Sequence, residues 1–199
     1  MANVDAKKGL IPIRHKNGEN YNGAVNPYYI PSTYATALYI GDPVIVTGTS
    51  NTAVYKGFEP GTLPEINKTT AAGGAYTSGV IVGFMADPDN LDKSYNPAST
   101  ERIAMVADDP DLVFEIQEDS VGAALAATDV GLNADYIFGT ASTVTGKSGV
   151  ELDSSTAATT NTLQMKILRL SCRTSNVVGD NAVWEVMINL HTQRYTTGI

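Results

Sequence analysis

The chain has 199 residues, 43% hydrophobic and 17% charged, enough to bury a real core in one domain of ordinary size. Its net charge of −8 argues against nucleic acid as the main partner, because phosphate binding draws on clustered lysine and arginine. A single cysteine, Cys172, rules out an intrachain disulfide framework. No secretory leader and no apolar run near the ~18 residues needed to cross a bilayer is visible, so no membrane partner is expected.

Residues 1–37 contain few apolar runs. Asn17-Gly18 and Asn22-Gly23 are turn pairs, and Pro12, Pro27 and Pro31 interrupt any continuous ladder. Lys7, Lys8, Arg14 and Lys16 against Asp5 give residues 1–16 a local +3, which leaves −11 on the remainder. Most of the apolar surface is tyrosine: Tyr21, Tyr28, Tyr29 and Tyr34. Such a segment reads as an extended N-terminal arm over residues 1–37, set apart from a body over 38–199. The arm docks on an acidic surface, its own or a neighbour's. Its candidate partner-binding residues are Lys7, Lys8, Arg14, Tyr21, Tyr28, Tyr29 and Tyr34. The alternatives are that the basic leader is a solvated terminus and that the rings cover the chain's own barrel.

Past Gly41-Asp42-Pro43, Val44 to Val46 read as a buried strand, and residues 48–78 as a long polar excursion. Residues 79–85 form a second buried strand, with Gly83 marking a bulge. A further excursion over 86–100 leads to residues 102–107 and 112–117, expected to form a central antiparallel hairpin about the acidic turn Asp108–Asp111. Val121 to Thr128 allow one short helical turn, and residues 134–138 a short strand. Residues 139–162 read as a surface loop. In 163–170, Leu168 and Leu170 fall out of phase with Met165 and Ile167, which a bulge reconciles. Residues 183–190 alternate cleanly, with Trp184, Val186, Ile188 and Leu190 inward. Cys172 reads as a small buried residue. The expected fold is all-β, a barrel or sandwich of about seven to nine strands with long loops.

Catalytic and cofactor motifs fail when tested. Gly146-Lys147-Ser148 has Ala141 where a phosphate loop needs glycine. Asp87, Asp89 and Asp92 depart from a calcium loop at Leu91 and Ala98, and a looser cation site there stays an alternative. The carboxylates between Asp108 and Asp119 include no base and read as a solvated turn and strand face. His15, His191 and Cys172 have no metal-site spacing. No cofactor, no metal and no enzymatic activity is expected.

The pattern DAKKGLIPIRHKNGENYNGAVNPYYIPS, the strand with GDPV, NPASTERIAMVADDPDLVFEIQED and the closing VMINLHTQR together resemble head decoration (cement) proteins of tailed bacteriophages. The resemblance spans nearly the whole chain but is one of overall pattern. It implies an accessory protein made in the host bacterial cytoplasm that adds to the outer capsid surface of the virion. There it would bind the major capsid protein and copies of itself, with a trimer the first expectation and a dimer the second. A separate reading is a carbohydrate- or receptor-binding β-domain of a tail component, using Tyr55, Tyr76 and Tyr95 in the polar loops.

Overall fold

Side chains along a strand alternate between faces, so the run Leu112–Gln117 commits Leu112, Phe114 and Ile116 to one side of a sheet. The computed structural model describes residues 3–89 and 91–194. Among these, twelve strands and three single-turn 3-10 segments are joined by long connections without an α-helix. The chain is all-β, with more strands than the seven to nine expected.

Five strands form an antiparallel sheet in the spatial order β1 (Ile11–His15), β7 (Leu112–Gln117), β12 (Val183–Ile188), β11 (Met165–Leu170), β8 (Asn133–Ala134). Five more close a barrel in the order β2 (Asn26–Ile30), β4 (Pro64–Lys68), β3 (Pro43–Ser50), β5 (Gly79–Phe84), β6 (Arg102–Ala107). A ribbon of β9 (Tyr136–Phe138) and β10 (Val150–Leu152) completes the fold.

The inner face of the sheet carries Leu112, Phe114, Ile116, Trp184, Val186 and Ile188. They pack on Val150 and Leu152 of the ribbon and on Val80 and Ala107 of the barrel flank. Phe114 and Trp184 are fully buried there, as the alternation predicts. The barrel has its own core, built on Tyr28, Ile30, Val44, Ile66, Ile81 and Val106. Both expected bulges occur. In β11, Ile167 faces Val186 and Arg169 faces Glu185, so Leu168 is the extra residue and Leu170 returns to the side of Trp184. In β5 the register shifts between Ile81 and Gly83.

Four expectations are overturned. Strands β6 and β7 do not form a hairpin: β6 lies between β5 and β2 in the barrel, and β7 between β1 and β12 in the sheet. Asp108–Asp111 is the crossing between the two layers. Asp109 still caps the backbone N–H of Asp111 at 2.8 Å, as turn chemistry requires.

The division into an arm over 1–37 and a body over 38–199 also fails. Ile11 pairs with Glu115, and Tyr28 with Ala104. Leu10, Tyr28 and Ile30 are buried. The prolines are tolerated because β1 is a sheet edge and β2 meets β4 only at Tyr29 opposite Glu65, leaving Pro27 no ladder to break on that side.

Finally, Cys172 is exposed rather than buried. It lies beyond the end of β11, which stops at Leu170. The supposed loops also hold structure: β4 lies within 48–78 and β10 within 139–162.

Candidate interaction surface

Two of the three candidate N-terminal cations, Lys7 and Arg14, are bound to the chain's own body. Lys7 Nζ lies 3.1 Å from Glu151 Oε2, and this contact raises the Lys7 pKa above its ordinary value. Burial in turn raises the Glu151 carboxyl, with Lys7 opposing the shift. Arg14 Nη2 lies 2.7 Å from Glu185 Oε2, and Arg169 Nε reaches the same oxygen at 2.9 Å. Burial pushes the Glu185 carboxyl up, but Arg169 and Arg14 outweigh it and hold the pKa below the usual carboxylate value. Only Lys8, of the three candidate cations, is exposed.

The four tyrosines likewise belong to the chain's own packing. Tyr28 OH donates to Asp108 Oδ2 at 2.7 Å inside the barrel, and burial raises its phenol pKa. Tyr34 OH accepts from the Lys68 backbone N–H at 2.9 Å. Tyr21 packs on the sheet core, and its OH donates to the Ala24 carbonyl at 3.1 Å. Tyr29 donates to Glu101 and meets Tyr55 edge-on, with ring centroids 5.6 Å apart. The arm therefore offers no free aromatic docking face; the alternative reading, rings covering the chain's own barrel, is the one observed. Of the loop tyrosines weighed for glycan binding, Tyr55 is taken by Tyr29, and Tyr95 stacks on Tyr39 at 4.9 Å. Tyr76 is exposed.

The outer face of the five-stranded sheet, on which Val113, Glu115, Gln117, Glu185 and Met187 are themselves buried, carries a lattice of charges. Glu115 and Glu185 stand directly opposite each other on β7 and β12, a like-charge pairing that disfavours the ladder unless each carboxylate is neutralised. Arg173 and the Ser171 hydroxyl serve Glu115, while Arg14 and Arg169 serve Glu185. The two glutamates are thus buried beneath arginines that still reach solvent. Beside this lattice, residues 3–11 and the 173–183 segment bound a shallow cleft of about 230 Å³. Val4, Ile11 and Val183 supply apolar lining, with Lys8 and Arg173 among the residues around it. Its walls are braced: Gln117 Nε2 donates to the carbonyls of Val4 and Asn181 at 2.8 Å each, and Asn176 Nδ2 donates to those of Ser171 and Val183. The sequence reading missed Arg169 and Arg173, whose roles depend on the β11 bulge and on a loop returning over the sheet.

Glu118 and His191 are sealed inside. Glu118 is fully buried; its Oε2 accepts from the Leu125 N–H and the Trp184 indole N–H, both at 3.1 Å, and burial pushes its pKa up to about 7. His191 is fully buried, and burial together with Arg194 lowers its pKa to about 4. Asp42 is fully buried too; it accepts from the Ser148 hydroxyl at 2.5 Å and pairs with Lys68 at 3.1 Å. Among the described residues no three of His, Cys, Asp and Glu are placed to hold a metal ion, and no helix is long and apolar enough to cross a membrane.

No family model, curated protein or solved structure matches the chain.

Proposed function

We propose that this chain is a non-catalytic structural protein of a tailed-phage head, one that adds to the assembled capsid on its outer surface and ties neighbouring subunits together. The observation that carries the reading is the lacing of the two layers by residues 3–30. β1 is bonded into the sheet and β2 into the barrel, and just before β1 the chain passes residue 41 so closely that a Cβ on Gly9 would sit 2.5 Å from the Gly41 carbonyl oxygen. A body closed in this way resists being pulled apart without a disulfide or a metal, which suits a clamp on a pressurised shell. Glu118 and His191 are fully buried under packed side chains, where a substrate does not reach. The overall resemblance to decoration proteins points the same way.

The alternative, a glycan- or receptor-binding tail domain, would rely on Tyr55, Tyr76 and Tyr95, and two of those rings are engaged by other tyrosines. A reconstruction of purified particles of the virus that encodes the chain tests the proposal. Density for the two-layer body on the outer capsid face is the expected result. Density confined to the tail would favour the alternative, and absence of the protein from particles would overturn the proposal.

A further inference from the structure

We propose that the cleft beside the arginine lattice is a self-association site that receives an acidic, leucine-tipped loop from a second copy of this chain. The cleft joins an apolar lining, Val4, Ile11 and Val183, to two cations, Lys8 and Arg173. Lys8 makes no ion pair among the described residues, and Arg173, although bound to Glu115, keeps 47% of its side chain exposed. An occupant that fits has an apolar tip flanked by carboxylates.

The chain carries such a tip. Leu91 is 75% exposed, the most exposed leucine of the described residues. Asp89 and Asp92 flank it, both exposed, with Asp92 paired to its neighbour Lys93 at 2.6 Å. This loop is fastened to the barrel: the Arg102 guanidinium donates to the carbonyls of Met85, Lys93 and Tyr95, and Lys56 Nζ donates to that of Ala86. The barrel packs on the inner face of the sheet through Val80 and Ala107, whereas the cleft opens on the outer face. One molecule therefore presents the tip and the cleft on different sides and does not satisfy itself. The contact is heterologous, one copy's tip in the next copy's cleft, and it closes into a ring or propagates as a chain according to the rotation per copy. Opposite charges at the rim speed encounter, and the buried leucine slows release.

Sedimentation velocity on the purified chain from ~5 to ~500 μM, a range spanning weak interfaces, tests this independently of any capsid role. The wild type should self-associate, and less so at ~0.5 M salt, where exposed charges are screened. Lys8→Glu and Leu91→Asp alter exposed side chains and leave the Arg173–Glu115 pair intact; each should weaken association at least ~10-fold, the order of ~1.4 kcal/mol. A mixture of Lys8→Glu with Asp89→Lys should associate more strongly than either variant alone, since the inverted rim meets an inverted tip. A wild type that stays monomeric throughout overturns the proposal. So does association that both single variants leave unchanged.

Discussion

Glu118→Gln probes the energetics of the buried layer most directly. The Glu118 carboxyl is fully buried, Oε1 has no hydrogen-bond partner, and burial raises its pKa from 4.5 to about 7. The folded state therefore holds this proton more tightly than the unfolded chain does. The contribution to stability is complete below pH 4.5 and is lost as pH rises through about 7. At ~1.4 kcal/mol per pH unit, the gap corresponds to about 3 kcal/mol. Glutamine keeps an oxygen for the Leu125 N–H and the Trp184 indole but does not titrate. Urea melts of both proteins near pH 4.5, 6 and 8 read the effect, and taking the difference between them cancels other groups such as Glu151 and Asp135. The variant should match the wild type at the acid end and gain on it steadily, to about 3 kcal/mol at the alkaline end. Parallel profiles across the range would refute the claim that Glu118 is neutral in the folded protein near pH 6.

Phe114→Ala removes a fully buried ring from the centre of β7 and should cost about 3–5 kcal/mol in a denaturant melt; a loss below ~1 kcal/mol would show that the site is not a packed core. Deleting residues 1–30 strips β1 from β7 and β2 from β6, so the truncated chain should show no cooperative unfolding by circular dichroism. A truncated body that melts at the wild-type temperature would contradict the interlaced fold. Exposed Cys172 should react with a chromogenic disulfide reagent in the native protein to one equivalent and as fast as a free thiol, whereas labelling only after denaturation would place it inside.

Faces were legible in the sequence, and partners were not. The clean period of two in Leu112–Gln117 and Val183–Ile188 identified which side chains meet, and the phase slip of Leu168 and Leu170 called for a bulge in that strand, which the structure places between Ile167 and Arg169. Nothing in 102–107 distinguishes a strand that turns back on 112–117 from one that stays in a barrel while the chain crosses to another sheet, because both need a tight acidic turn. β4 escaped notice because Ile66 is its sole buried side chain, too little for a period. β1 and β2 were hidden by prolines at positions where no ladder bond was needed. The basic leader was rightly matched to acidic groups, Lys7 to Glu151 and Arg14 to Glu185. Those carboxylates lie more than a hundred residues away, so only the fold could assign them to the same molecule. The cleft was illegible for the same reason, since it forms where the first residues meet a segment near the last.

The lacing of the first thirty residues also dictates a history for each newly made copy. β1 needs β7, and β2 needs β6, so both wait for residues 102–117. At ~5–20 residues per second of synthesis, that wait is roughly 5–20 s. During it Leu10, Tyr28 and Ile30 have no native home, and the pairings that finally capture them are long-range ones that form slowly. Once captured they bar the way back, because freeing the N-terminus means opening the barrel and the sheet together. Slow closure and slower escape make persistence of the folded chain a matter of rates as much as of equilibrium.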